Sequence, residues 1–206
     1  MSLLSEHWYI VKIFYKIYNK FLYVLRTYRN FYIPNLKVIF KKEIILSNNI
    51  RFQQPVYVTG LGKVKIGENV SFGYSLGGFY RWGCIEIQPR YKNSYIEIGN
   101  NVATNNNILF CAASKIIIGE ETLIGQYVTF LDHDAHGIEP DKRRTSIGNI
   151  GDIEIGRNVW IGNNVMILTG TKIGNNSVVA TGSVVKGSFP ENVIIGGVPA
   201  KIIKTI

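Results

Sequence analysis

A repeat of six residues runs through the C-terminal half of the chain. From Ile155 the sequence reads IGRNVW, IGNNVM, ILTGTK, IGNNSV and VATGSV, so an aliphatic residue returns at every sixth position up to Val185. The same pattern begins earlier at Ile66, Ile98, Ile118 and Ile124. A period of six is too long for a helical turn. It fits a short strand followed by a corner in which Gly or Asn adopts a positive φ.

Three such units would close a triangular coil of about eighteen residues, and stacked coils would pair each strand with its equivalents above and below. The aliphatic side chains would then form ladders inside the prism, each contributing about 1.5 to 3 kcal/mol. The sequence therefore predicts an all-β solenoid. The register breaks between Ile98 and Ile118 and again between Ile124 and Ile155, and we expect insertions to loop out at both places.

The composition is that of a folded, cysteine-poor protein. Of 206 residues, 46% are hydrophobic and 18% are charged, which excludes a disordered chain and suffices for one sizeable core. The two cysteines, Cys84 and Cys111, make no disulfide scaffold and suit a reducing compartment. We therefore expect a cytoplasmic protein, and we expect Cys111 to be a buried ladder residue.

The net charge of +9 is local to the N-terminal segment. Eight basic residues and no acidic one lie between His7 and Lys42, whereas the rest of the chain is close to neutral. A nucleic-acid binder usually carries its basic surface on the recognition fold itself, so no nucleic-acid partner is expected here.

An amphipathic helix is predicted from Ser5 to Asn30. At 100° per residue one polar arc of about 120° forms, consisting of Ser5, Lys12, Lys16, Asn19, Lys20, Arg26, Thr27 and Asn30. The remaining circumference is apolar, and a lysine at every fourth position argues against a membrane-spanning segment. Two interpretations stay open. The helix lies on an anionic membrane surface, at the inner face of the membrane, or it packs on its own oligomer.

The run from Ile155 to Lys204 ends in GGVPAKIIK. With its hexapeptides it resembles the C-terminal signature of the left-handed β-helix, hexapeptide-repeat acyltransferases, in the branch of the galactoside, maltose and capsule sugar O-acetyltransferases. The resemblance covers residues 60–205, and it implies a left-handed parallel β-helix that forms a homotrimer. One departure is Ala180, Thr181, Gly182 and Ser183, where many relatives have Gly-Ala-Gly-Ser.

The predicted organisation has three parts. Residues 1–50 form the basic, aromatic helical segment. Residues 51–186 form the β-helix, with an inserted loop at 130–152. Residues 187–206 form a C-terminal tail that completes the coenzyme A site.

Acyl transfer to a hydroxyl needs a general base, and histidine is the natural candidate. Two of the three histidines, His133 and His136, lie in the inserted loop, while His7 lies in the N-terminal segment. The resemblance places the family's catalytic histidine at His133. The alternative is an ordinary surface-loop histidine.

The inserted loop also contains the expected acceptor-binding residues, His136, Asp132, Asp134 and Arg143. Neither aspartate is assigned as the group that orients His133, because neighbours in an extended chain point to opposite sides.

Further site residues follow from the resemblance. It places Asn105 at the family's active-site asparagine, although Asn is also the common corner residue of this repeat. It implies acetyl-CoA as acetyl donor, with cofactor contacts from Trp160, Asn163, Thr181, Lys186 and Lys204. Lys201 is expected to bind the cofactor as well, because the phosphate end of coenzyme A is anionic and needs basic residues. No metal is expected.

The expected function is an acetyl-CoA-dependent O-acetyltransferase of a sugar hydroxyl in capsular, exopolysaccharide or lipopolysaccharide biosynthesis, working through a ternary complex. The alternatives are an N-acetyltransferase of an amino sugar, a serine O-acetyltransferase, a γ-class carbonic anhydrase and a non-catalytic β-helix. The carbonic anhydrase needs three histidine ligands, of which the body of the chain offers two.

Overall fold

The computed structural model of the protein describes residues 3–80 and 82–206, with the backbone alone for residues 3–7, 9 and 10. The fold is a left-handed parallel β-helix preceded by a long helix, as predicted. Three sheets of 7, 8 and 6 strands form its faces, and we name them A, B and C in the order in which the chain visits them.

Each of the first six coils contributes one strand to each sheet, the last coil contributes only to sheets A and B, and the pairings between coils are parallel. Sheet A consists of β1 (Ile44–Leu46), β4 (Lys63–Ile66), β7 (Tyr95–Ile98), β10 (Lys115–Ile118), β13 (Ile153–Ile155), β16 (Lys172–Ile173) and β19 (Ser188–Phe189). Sheet B consists of β2 (Arg51–Phe52), β5 (Ser71–Phe72), β8 (Ala103–Thr104), β11 (Leu123–Ile124), β14 (Trp160–Ile161), β17 (Val178–Val179), β20 (Val193–Gly197) and β21 (Ala200–Thr205). Sheet C consists of β3 (Val56–Val58), β6 (Ile85–Pro89), β9 (Leu109–Ala112), β12 (Thr129–Leu131), β15 (Met166–Ile167) and β18 (Val184–Val185).

The aliphatic ladders form the core, as the repeat predicts. All ten leading aliphatic residues are buried: Ile66, Ile98, Ile118, Ile124, Ile155, Ile161, Ile167, Ile173, Val179 and Val185. Phe110 and Phe130 are buried neighbours on adjacent strands of sheet C, and their rings stack with the centroids 4.8 Å apart. Cys111 is fully buried, as predicted, but it does not belong to the ladder, because it follows the inward Phe110 on β9. Burial raises the pKa of its thiol.

The corner between sheets A and B is built from asparagine. Residues there adopt a left-handed conformation with φ between 54° and 60°: Asn49, Asn69, Asn101, Glu121, Asn158, Asn176 and Asn192. Asn tolerates this region better than other residues with a Cβ. The amide of Asn158 donates to Oδ1 of Asn176 (3.0 Å), and that of Asn176 donates to Oδ1 of Asn192 (3.2 Å). The corner is therefore stabilised twice, by backbone preference and by a side-chain ladder.

The insertion expected between Ile98 and Ile118 is only two residues long, and it does not loop out of the prism as expected. The twenty residues between these positions form one complete coil, with two extra residues, Ala113 and Ser114, at the corner between sheets C and A. The second expected insertion is confirmed, and it leaves the prism after Leu131 and returns at Ile153. An insertion that the repeat did not reveal lies between β5 and β6, at residues 73–84.

The N-terminal helix is longer than predicted. It comprises α1 (Leu3–Thr27), a π-helical turn (Tyr28–Tyr32) and α2 (Ile33–Phe40). Pro34 lacks an N–H and crowds the preceding turn, which explains why the chain widens to a π turn just before it. The first coil begins at Ile44, inside the range assigned to the helical segment, and the predicted tail extends sheets A and B rather than standing apart.

The second helix closes the N-terminal end of the prism. Val38 is buried, and Asn35 is 6% exposed. Oδ1 of Asn35 accepts from the backbone N–H of Val56 at 2.8 Å, and its Nδ2 donates to the carbonyl oxygen of Gln54 at 3.5 Å. The amide thus satisfies backbone groups of the first coil that have no coil beneath them. At the other end, β21 folds back antiparallel on β20.

Replacement of Asn176 tests the origin of the corner's stability. Asn176→Ala is expected to lower the free energy of unfolding by about 1–2 kcal/mol, because alanine pays the left-handed penalty and loses both ladder contacts. Asn176→Gly loses the same contacts but adopts the conformation freely, so its thermal midpoint should lie between wild type and Asn176→Ala. Equal midpoints for the two variants would contradict the conformational explanation.

Candidate active site

The inserted loop forms a short two-stranded arm at the corner between sheets C and A. His133 and Ile150 form an antiparallel bridge at its base. Further out, the N–H of Asp134 donates to the carbonyl oxygen of Asn149 at 2.9 Å, and the N–H of Gly137 donates to that of Ser146 at the same distance. The arm places His133 where the chain leaves the regular coil.

A buried carboxylate orients the ring of His133. Oδ1 of Asp132 lies 2.7 Å from Nδ1 of His133, and the two side chains are 0% and 1% exposed. The same carboxylate accepts the backbone N–H groups of Ala113 (2.7 Å, at Oδ1) and Ser114 (2.8 Å, at Oδ2). Asp132 is therefore anchored by the two extra residues of the preceding coil.

The neighbours of the ring define the hydrogen-bonding role of each nitrogen. Nδ1 faces a carboxylate, which accepts, and Nε2 is 3.3 Å from Nη1 of Arg90, which can only donate. These contacts favour the tautomer with its lone pair on Nε2, the form that a general base requires. Arg90 covers that lone pair. No motif in the sequence indicated that Arg90 would lie beside His133.

The structure corrects two expectations about Asp132. Both of its oxygens are occupied and it is fully buried, so it cannot bind an acceptor as expected. The argument that neighbouring residues point apart also fails here, because β12 ends at Leu131 and Asp132 already lies in a turn. Asp132, left unassigned from sequence, is the residue that orients His133.

The other residues expected to bind the acceptor lie on the arm. Asp134 is half-buried, and its Oδ2 accepts from Nδ2 of Asn149 at 2.9 Å, which ties the two sides of the arm together. His136 is exposed, and its Nδ1 donates to the carbonyl oxygen of Arg143 at 2.8 Å. The side chain of Arg143 is exposed. His136 and Arg143 are accessible to a ligand, whereas Asp134 serves the arm.

Asn105 lies at a different corner, between sheets B and C. Its Oδ1 accepts from the N–H of Asn106 at 2.8 Å, and no described residue accepts from its Nδ2. The 73–84 loop covers this corner, and a Cβ on Gly77 would stand 2.5 Å from Oδ1 of Asn105.

Buried amides hold the 73–84 loop in place. Nδ2 of Asn106 donates to the carbonyl oxygens of Tyr74 and Gly78 at 3.0 Å each, and Nε2 of Gln54 donates to that of Tyr80 at 3.3 Å. The loop exposes several large apolar side chains beside Asn105, with Trp82 at 88% exposure and Leu76 at 83%. The repeat gave no signal for this loop.

The expected cofactor residues fall into two groups. Asn163 and Thr181 are exposed at the same corner as Asn105. Trp160 is 58% exposed on sheet B, and the strand registers place it in one row with Val178, Ile194 and Lys204. Lys201 is exposed on the same terminal strand as Lys204. Lys186 instead follows β18 at the corner between sheets C and A.

The candidate residues therefore occupy two corners of the prism. His133 and Lys186 lie at the corner between sheets C and A, whereas Asn105, Asn163 and Thr181 lie at the corner between sheets B and C. A strand of sheet C, about 10 Å or more in length, separates the two corners in one chain. The structure does not bring the two groups together within one copy.

Comparisons with known proteins identify the family of the chain. Residues 152–187 match the family model described as bacterial transferase hexapeptide (six repeats). The chain is 36% identical over 167 residues, 75% of its length and 77% of the relative's, to WbbJ of Escherichia coli (strain K12), which is provisionally named a lipopolysaccharide biosynthesis O-acetyl transferase. It is 38% identical over 123 residues to the galactoside O-acetyltransferase of the same organism, covering 58% of this chain and 60% of that enzyme.

A solved structure of a galactoside acetyltransferase in complex with coenzyme A superimposes with a TM-score of 0.50. The match has 25% identity and covers 79% of this chain and 65% of the other. Together with the stacked hexapeptide coils and the histidine-bearing arm, these matches show that the chain belongs to the hexapeptide-repeat transferase family, as an acyltransferase.

Proposed function

We propose that the protein is an acetyl-CoA-dependent O-acetyltransferase that modifies a sugar hydroxyl in the synthesis of a capsular polysaccharide, exopolysaccharide or lipopolysaccharide. The observation that carries this proposal is the His133 ring, held by the buried Asp132 with a lone pair on Nε2. The relatives named as O-acetyltransferases, and the relative solved with coenzyme A, support the donor and the type of acceptor.

In the proposed reaction Nε2 of His133 takes the proton of the acceptor hydroxyl as its oxygen attacks the acetyl carbonyl. The carboxylate of Asp132 stabilises the imidazolium that forms. The new C–O bond forms and the C–S bond breaks through a tetrahedral intermediate, and the imidazolium returns the proton to the departing thiolate. The Nδ2 of Asn105 is a suitable donor to the oxyanion, since no described residue occupies it.

This division of roles requires two copies of the chain. The corner that carries His133 and Lys186 would face the corner of a neighbour that carries Asn105, Asn163 and Thr181. Such a contact joins two different surfaces and gives a ring when the rotation between copies closes, and a triangular prism suits the 120° rotation of a ring of three. The acetyl-CoA would lie in the groove between two prisms, with Trp160 and Lys204 on its sheet B side.

Loss of the base should abolish most of the activity. His133→Ala is expected to lower kcat about 100- to 10,000-fold, measured as thiol release from acetyl-CoA with a panel of sugar acceptors. His136→Ala is the matched control, because that ring is exposed and turned to the arm backbone, and it should affect KM for the acceptor more than kcat. Near wild-type turnover by His133→Ala would refute the proposed base.

Mixed trimers test whether the site is shared. His133→Ala and Asn105→Ala are each expected to be poorly active alone. Co-assembled at equal amounts, they should regain activity at about a quarter of the sites, because a site with His133 from one copy and Asn105 from its neighbour is then intact. Trimers that contain only one of the two variants provide the baseline activity. Failure of the mixture to exceed that baseline would place both residues within one copy.

The contact between Arg90 and His133 can be tested without any substrate. Arg90 covers Nε2, so Arg90→Ala should expose it and raise the rate of carbethoxylation of His133 by diethyl pyrocarbonate several-fold. The exposed His136 serves as the internal control and should react at the same rate in both proteins, as read by peptide mass spectrometry. Equal labelling of His133 in the two proteins would show that Arg90 does not cover the ring.

A further inference from the structure

The first helix makes almost no use of its apolar surface in the fold. α2 packs on the solenoid through β1 and β3. Most of the large side chains described in α1 are open to solvent. Trp8 is 67% exposed, Phe14 is 66% exposed and Phe21 is 59% exposed. No helix among the described residues is long and apolar enough to cross a membrane. A helix of 25 residues with this much exposed apolar surface needs a partner.

The side chains of α1 are sorted around its axis. Lys12, Lys16 and Lys20 lie on one arc of about 120°, as the sequence predicts. Phe14, Ile17, Phe21, Val24 and Leu25 lie on an opposite arc of about 100°. All eight side chains of these two groups are exposed, so the structure leaves both faces free. The side chain of Ser5, which the sequence places on the polar arc, lies outside the described residues.

Charge decides between the two partners that the sequence left open. The only acidic residue in the sequence of α1 is Glu6, and none occurs from His7 to Lys42, so neighbouring copies of this helix offer its lysines little opposite charge. Helices that pair through an apolar face usually flank it with complementary charges. An anionic lipid surface supplies the opposite charge along the whole basic arc, together with an apolar phase for the other face.

The aromatic residues agree with a lipid surface. Trp8 and Tyr15 border the basic arc at 100° per residue, and both are exposed. Tryptophan and tyrosine prefer the boundary between head groups and acyl chains, because each has an apolar body and a polar end. Their positions match the depth at which an interfacial helix changes from polar to apolar surroundings.

From this charge complementarity we propose that α1 lies in the plane of an anionic membrane surface. The apolar face that carries Phe14, Ile17 and Phe21 enters the outer acyl region of the membrane, and the lysines of α1 remain among the head groups. Through the continuous helix and α2, this contact holds the N-terminal end of the β-helix at the surface. The proposal does not depend on the acetyl-transfer reaction, and its test measures lipid binding alone.

Flotation of the full chain on lipid vesicles tests the proposal. The protein should float with vesicles of phosphatidylcholine mixed with phosphatidylglycerol, remain unbound with phosphatidylcholine alone, and dissociate as salt is raised. The triple variant Lys12→Gln, Lys16→Gln and Lys20→Gln should lower the partition coefficient about 100-fold. Arg51→Gln, Lys63→Gln and Lys92→Gln remove the same charge from exposed positions on the solenoid, and this control should change binding less than about twofold.

A depth measurement completes the test. Brominated lipids in the anionic vesicles should quench part of the tryptophan fluorescence, and Trp8→Phe should remove that quenched part. Equal binding to neutral and anionic vesicles, or equal loss in the two triple variants, would overturn the proposal. An absence of flotation would also overturn the proposal. If deletion of residues 3–27 then dissociates the oligomer, α1 makes contacts between copies instead.

Discussion

Each inward side chain of the prism rests on its equivalent in the next coil, and the rest of the structure depends on this contact. Because strand side chains alternate, a shift of one residue would bury a polar neighbour in place of the aliphatic one. The chain must therefore regain its register after every excursion. It does so after the arm, where Ile153 pairs with Ile116 as if nothing had been inserted. Corners are consequently fixed in space, and side chains placed on them are fixed as well.

The sequence predicted the core and the position of the arm because both follow from this periodic contact. It could not predict the orientation of His133, because Asp132 lies one residue beyond the strand, where alternation no longer applies. It missed Arg90, which meets His133 across two coils, and it missed the 73–84 loop, which lies outside any run of hexapeptides. The π turn before Pro34 depends on a helix continuing through a proline, and the sequence pattern did not indicate that.

The first break in the register, which lies between Ile98 and Ile118, supports the site. The coil between Ile98 and Ile118 has two residues more than a regular coil, and these are Ala113 and Ser114. Their N–H groups bind the carboxylate of Asp132, a charge that would be costly to bury without donors. A small lengthening of one coil thus prepares the buried acceptor that orients the histidine of the next. The ring is held before any substrate arrives, which is the condition for efficient general-base catalysis.

The contact with Arg90 adds a condition on when the proposed base can act. While Arg90 donates to Nε2, the lone pair is occupied, so a water molecule at the site has no base to accept its proton. An acceptor hydroxyl must displace the guanidinium from Nε2. A sugar has further hydroxyl groups that can accept hydrogen bonds from the freed N–H donors, whereas a single water molecule has one oxygen. The binding energy of the acceptor would then be used to free the base. On the proposed mechanism this protects the thioester from hydrolysis until an acceptor is bound, without any movement of the β-helix itself.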